Sequence, residues 1–139
     1  MGYPYLTMNC ILFFDGACRG NPGPMAIGAV LLENGKKVRD ISKCLGKGTN
    51  NIAEWNALIE GLKLAKTHGC RELEVRGDSQ LIIRQITGKY RVKQEYLIPL
   101  FNEAKKLCGN FEKINFRWVK REENSETDAL SNMALDNRR

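Results

Sequence analysis

The chain has 139 residues, 42% of them hydrophobic, and its 22 Lys and Arg against 16 Asp and Glu give a net charge of +6. That length suits one compact domain, residues 1–139, with a core large enough to hold an active site, and nothing in it suggests two. The positive excess favours a polyanionic partner without identifying one, while the longest apolar run, MAIGAVLL at 25–32, is far below the roughly 18 residues of a membrane span.

The first ten residues, MGYPYLTMNC, show no basic segment followed by an apolar one, and Leu6 stands where a myristoylation signal needs Ser or Thr. A cytosolic, unprocessed protein with no membrane association is therefore expected. Cysteines at 10, 18, 44, 70 and 108 are scattered, odd in number and without a C-x-x-C pair. This argues against a zinc site and a secreted disulfide framework, and leaves buried or incidental thiols as the simplest reading.

In chain order, YLTMNCILFF predicts a buried strand ending near Asp15, followed by a loop, GACRGNPG, too rich in Gly and Pro for a hairpin. AIGAVLLEN and KKVRDISKCL predict a hairpin turning at Asn34-Gly35. From Asn51 to His68 the period changes to that of a helix, with Trp55, Leu58, Ile59, Leu62 and Ala65 on one face and Glu54, Ala57 and Gly61 on a second, smaller one, so cover on two sides is expected. Gly69 ends it, with His68 at a solvent-facing terminal position. ELEVRG at 72–77 is a short strand, and DSQLIIRQITG a short helix capped by Asp78 and closed by Gly88. A further helix carries Leu97, Leu100, Phe101, Ala104 and Leu107, with Pro99 in its first turn; FEKINFRWV is the last strand and NSETDALSNMAL the last helix. The order is βββαβααβα, with frayed ends only in the first few residues and DNRR.

Four carboxylates stand at the ends of these elements. Each has an ordinary explanation: Glu54 completes a capping box from Asn51, Asp78 is an N-cap, Ser125 and Asp128 form another capping pattern, and Asp15 ends a strand. Asp15 nevertheless continues the face of Ile11 and Phe13, a costly place for an ion without a partner. Glu54 begins the small-residue face of its helix, where a close neighbour is expected. If such groups converge, repulsion raises their pKa values unless a divalent cation holds them ionised, and oxygen donors without His or Cys suit Mg²⁺ or Mn²⁺.

Four motifs, FFDGACRGNPGP, TNNIAEWNALIEGL, LEVRGDSQLIIRQITG and WVKREENSETDALSNMA, in this order and on this pattern, resemble the type 1 ribonuclease H family over nearly the whole chain. The resemblance implies an α/β fold with a five-stranded mixed sheet, three antiparallel strands then parallel ones, flanked by helices. It implies endonucleolytic hydrolysis of the RNA strand of RNA/DNA hybrids by two Mg²⁺ ions, with Mn²⁺ as substitute, leaving 5′-phosphate and 3′-hydroxyl ends. Asp15 would bridge both ions, Glu54 and Asp78 would bind on one side, Asp128 on the other, and Glu54 would face the RNA 2′-hydroxyl. It further implies that backbone groups of Cys18, Arg19 and Gly20 approach RNA sugars, that Asn21, Asn50 and Gln80 reach the minor groove, and that Thr49 and Asn51 form a pocket for a DNA phosphate. By their type, Thr49, Asn50 and Asn51 equally read as a polar loop and N-cap.

The chain departs from the family pattern in three ways. The loop VKREENSETD lacks the histidine that many bacterial members carry before the last carboxylate; Arg121, Glu122 or Glu123 stand where a substitute for product release would be. GKYRVKQEY passes directly to the next helix without the basic protrusion of some relatives, leaving Lys89, Tyr90, Arg91 and Lys93 as a reduced surface, so weaker and more salt-sensitive hybrid binding is expected. With so few residues ahead of the first strand, no N-terminal hybrid-binding domain is expected. A monomer is expected. Alternatives are an RNase H-like domain that binds nucleic acid without catalysis, or a related nuclease that also cleaves double-stranded RNA.

Overall fold

A computed structural model describes residues 9–137. The chain runs β1 (Asn9–Cys18), β2 (Gly23–Glu33), β3 (Lys36–Gly48), α1 (Asn50–His68), β4 (Glu72–Gly77), α2 (Gln80–Ile86), α3 (Ile98–Cys108), β5 (Lys113–Trp118), one 3₁₀ turn (Arg121–Asn124) and α4 (Ser125–Asp136). This is the expected order. The expected strand start at residues 5–8, and the frayed termini apart from Asp136 and Asn137, lie outside the described residues.

The five strands form one mixed sheet in the order β3-β2-β1-β4-β5. The first three are antiparallel, and β4 joins β1, as β5 joins β4, in parallel. Asn34 and Gly35 turn the β2–β3 hairpin with φ of 53° and 84°, the left-handed pair that a two-residue turn requires. The connection between β1 and β2 corrects the sequence reading. β1 continues past Asp15 to Cys18, which pairs with Met25, and residues 19–22 close a hairpin in which the Arg19 N–H donates to the Pro24 carbonyl at 3.0 Å. Pro22 stands in the loop and Pro24 close to the strand end, where a missing N–H disturbs little of the ladder.

One face of the sheet carries Leu12, Phe14, Ile27, Leu31 and Val75, fully or almost fully buried with Trp55, Leu58 and Leu62 of α1. The alternation of β1 and the helical period of α1 meet along this seam. α3 covers the far side of α1, where Phe101 meets Trp55 edge-on at 5.9 Å between ring centres. α1 is thus enclosed on two sides, as its small second face predicted, and Gly61 lies so near Leu12 that a Cβ would sit 3.0 Å from it. α4 takes the opposite face, over β2 and β3, held by Ser42 Oγ donating to the Leu130 carbonyl at 2.6 Å.

Two expectations about side chains are corrected. Cys10 and Cys70 are buried but not free: they are joined by a disulfide, because the parallel β1–β4 pairing brings the turn before β4 alongside the start of β1, with Cα atoms 6.1 Å apart. Cys18, Cys44 and Cys108 remain thiols. His68 does not face solvent; the last turn of α1 lies against the end of β2, and His68 Nε2 pairs with Glu33 Oε2 at 2.6 Å, both half-buried. No helix among the described residues is long and apolar enough to cross a membrane.

Candidate active site

Parallel pairing puts like ends of strands together. Phe14 is in register with Gly77, so the next residue of β1, Asp15, lies beside the residue that follows β4, Asp78. Phe14 packs over Gly77, where a Cβ would come within 2.5 Å of the ring. Two further glycines let helices deliver the other acids. At Gly16 a Cβ would fall 2.4 Å from the Glu54 nitrogen, so α1 rests directly on the strand, and the Gly16 N–H donates to Glu54 Oε1 at 3.1 Å. At Gly28, opposite Asp15, a Cβ would fall 2.3 Å from the Thr127 carbonyl, one residue before Asp128.

The four carboxylates line one pocket of about 390 Å³, with Asn50, Arg121 and Asn132 on its rim. Asp15, Glu54 and Asp78 each offer an oxygen within 4.8 Å of the others. Asp128 is outside that triad but within hydrogen-bonding reach of the Asp15 carboxyl. Asp15 is only 5% exposed. Burial, and then the negative charge of Glu54, push its pKa to about 10. Burial also raises Glu54, to about 7, against the lowering effects of its hydrogen bonds to Asp15 and the Gly16 N–H and of the Arg121 charge. Glu54 Oε2 is buried without a hydrogen-bond donor. Such a set of oxygens at strand and helix ends fits a divalent cation: it supplies hard donors, sets four carboxylates against the single cation Arg121 among its lining residues, and leaves one buried oxygen unsatisfied.

The capping explanations for these acids are corrected. α1 is capped by Thr49, whose Oγ1 accepts from the Ile52 N–H at 3.2 Å, and α2 by Ser79, whose Oγ accepts from the Ile82 N–H at 3.3 Å. α4 follows the 3₁₀ turn directly, and its N-cap, Asn124, makes no side-chain capping bond. Glu54 falls in the second turn of α1, not the first. Neighbours do the capping, and the carboxylates are left free for the pocket.

The residues proposed for substrate are distributed around this pocket. Cys18 and Asn50 line it. Asn21 Oδ1 accepts the Asn50 N–H at 3.1 Å, tying the hairpin tip to α1, and the Cys18 sulfur lies within hydrogen-bonding distance of the Gly20 and Gly48 carbonyls, at 2.6 and 3.2 Å, either of which can accept its one S–H. Gly20, at φ 90°, forms the exposed tip. Arg19 turns its side chain away to pair with Asp136 and reach the Asn132 carbonyl at 3.5 Å. Thr49 and Asn51 adjoin Asn50, with Thr49 already engaged as a cap. Gln80 stands apart, in a separate cleft between α2 and β5.

Sequence reasoning missed two residues. Asn124, 1% exposed, donates through Nδ2 to the Phe14 carbonyl at 3.0 Å and to Asp78 Oδ2 at 3.4 Å. Asn132 donates to the Asp128 carbonyl and Oδ1 at 2.9 and 3.3 Å. Only the helical spacing of Asn132 from Asp128 offered a signal.

Residues 13–134 match the family described as reverse transcriptase-like. Ribonuclease HI of Halobacterium salinarum is 42% identical over 125 residues, covering 89% of this chain and 63% of that protein. The crystal structure of the RNase H1 from this archaeon superimposes with a TM-score of 0.91 at 40% identity, covering 93% of this chain and 98% of the solved one. The chain belongs to the type 1 ribonuclease H family. A bifunctional protein of Mycobacterium tuberculosis is 37% identical over 131 residues, 93% of this chain but 36% of its own length. The chain thus spans only part of these two curated relatives. LC11-RNase H1, solved in complex with an RNA/DNA hybrid, has a TM-score of 0.87 at 36% identity and covers 92% of this chain and 97% of its own. The expected mixed sheet and helix placement are those of the RNase H1 fold. The triad of Asp15, Glu54 and Asp78 is a set of oxygens of the kind that can hold a divalent cation.

Proposed function

We propose that this chain is a metal-dependent endoribonuclease that hydrolyses the RNA strand of RNA/DNA hybrids. The observation that carries the reading is the convergence of Asp15, Glu54, Asp78 and Asp128 on one pocket in a ribonuclease H chain. A relative solved on a hybrid supports the choice of substrate. Asp15, Glu54, Asp78 and Asp128 would together hold two Mg²⁺ ions, with Mn²⁺ as substitute. When bound, such ions would supply positive charge to the scissile phosphodiester and acidify a water, and 5′-phosphate and 3′-hydroxyl ends are the products this reading expects.

The chain's own residues set up this chemistry. Gly16 fixes the Glu54 carboxylate by its N–H, Asn124 holds Asp78, and Asn132 holds Asp128. Fixed ligands of this kind need no rearrangement as charge develops. The Asn21–Asn50 contact aligns two polar side chains for the minor groove, while Cys18, Arg19 and Gly20 present backbone to the RNA sugars and Thr49 and Asn51 a pocket to a DNA phosphate. Arg121, the cation on the pocket rim, stands in for the loop histidine in releasing the cleaved phosphate.

The test is incubation of labelled hybrid, double-stranded RNA and double-stranded DNA with the protein in Mg²⁺, Mn²⁺ or EDTA, beside Asp15→Asn and Asp78→Asn. Cleavage of the hybrid's RNA strand, lost in EDTA and in both variants, is expected. Preference for DNA, or undiminished activity in the variants, would sink the reading. Hybrid binding without any cleavage would favour a binding-only domain, although four intact carboxylates stand against it. Cutting of double-stranded RNA alongside the hybrid would broaden the substrate and leave the chemistry unchanged.

A further inference from the structure

Beyond the carboxylate pocket lies a second cleft, about 380 Å³, between α2 and the edge strand β5. Arg84, Lys89 and Arg117 line it, and no acidic residue does. Gln80 opens it toward the catalytic end of the sheet, one turn before Arg84. Its floor carries Trp118, 41% exposed, whose indole Nε1 donates to the Asp78 carbonyl at 3.1 Å. That bond fixes an apolar ring immediately beside a catalytic acid. Arg84 is also held: it donates to Tyr90 Oη at 2.7 Å and lies over the Tyr90 ring at 5.3 Å.

Among the described residues, three cations, a fixed exposed indole and no carboxylate line this groove, a good surface for a polyanion. Trp118 in this cleft is bonded to the Asp78 carbonyl, and Gln80 follows Asp78 by two residues, so the cleft adjoins the carboxylate end of the sheet. It lies on the flank of α2 facing β5, where Gln80, Ile83 and Arg84 line it. We infer that the α2–β5 cleft is a second phosphodiester-binding surface: Arg84, Lys89 and Arg117 contact backbone phosphates of the hybrid beyond the scissile site, with Trp118 packing against a sugar. This rests on the hybrid reading of the carboxylate pocket, and it gives a chain without a basic protrusion a second source of grip.

The test uses Asp15→Asn as a non-cleaving background and measures the Kd of a long hybrid against salt concentration. Arg84→Gln with Arg117→Gln is expected to flatten log Kd against log salt by about 0.9 for each lost phosphate contact, about 1.8 for the pair. Arg84→Lys with Arg117→Lys keeps both charges and should retain the slope, while Tyr90→Phe reports whether the Tyr90 bond alone matters. An unchanged slope in the Gln pair, with unchanged melting temperature, overturns the inference. So does an equal loss of slope in the Lys pair, since charge would then not be the cause. Failure of the hybrid reading itself looks different: the protein with all four acids intact would neither bind nor cut the hybrid, whatever stands in the cleft.

Discussion

Gly28 faces Asp15 across the β1–β2 ladder and touches the Thr127 carbonyl so closely that a methyl group would stand 2.3 Å from it. Gly28→Ala must therefore lift the first turn of α4 off the sheet, and Asp128 with it. Overpacking of this kind costs about 1–3 kcal/mol. A lower melting temperature and at least a tenfold loss of hybrid cleavage are expected, read by calorimetry and a single-turnover assay. An unaltered melting temperature would mean that α4 is not seated on Gly28.

Asp15→Asn removes one member of a repelling, buried cluster. In the metal-free protein it should raise stability by about 0.5–2 kcal/mol at pH 8. It should abolish cleavage and weaken stabilisation by Mg²⁺. Urea unfolding in EDTA measures the first effect, and a Mg²⁺ titration of the melting temperature the last. A variant that unfolds at lower urea than the parent protein would contradict the clustered-acid picture.

The same cluster sets a pH dependence. Folded Asp15 titrates at about 10 and Glu54 at about 7, both raised first by burial, against about 3.9 and 4.3 in an unfolded chain. The folded state therefore binds more protons across this interval. The stability these groups contribute is complete below about pH 4 and is lost as pH rises, through 7 for Glu54 and 10 for Asp15. The advantage of Asp15→Asn over the parent protein in EDTA should widen from pH 5 to pH 9. Mg²⁺ binding should release protons and tighten over the same range. A gap that stays constant with pH would show that Asp15 is already ionised in the folded protein before the metal arrives.

Strands, helix order and the place of each of the four acids at an element end were legible because each depends on local pattern: strand alternation, the helical period and Asn34-Gly35; the mixed sheet and the grouping of the acids came only with the family resemblance. The caps were not legible. Thr49 and Asn51, and Asp78 and Ser79, offer two good capping types each within three residues, and only the packing of α1 on Gly16 and of β1 beside β4 decides which is spent on the backbone. The β1–β2 hairpin was hidden because Gly and Pro announce a break in pairing, whereas here they turn the chain and β1 continues beyond Asp15 to Cys18. The Cys10–Cys70 bond spans 60 residues and follows from strand register, which no spacing rule supplies.

Asn124 was the least legible of the site residues, and its substitution should reveal most. Its carboxamide joins β1, through the Phe14 carbonyl, to Asp78 Oδ2 just past the end of the neighbouring strand β4. In Asn124→Ala the Phe14 carbonyl and Asp78 lose a buried donor, at a cost of about 1–3 kcal/mol. Asp78 also loses the group that orients it, so the Mg²⁺ concentration needed to raise the melting temperature should increase. Asn124→Asp keeps the shape but replaces the donor by a fifth carboxyl beside four others. Its metal-free stability should fall below that of Asn124→Ala at pH 8 and recover at pH 5, where the added group regains its proton. Equal melting of the Ala and Asp variants at both pH values, with an unchanged Mg²⁺ requirement, would reduce Asn124 to a packing residue.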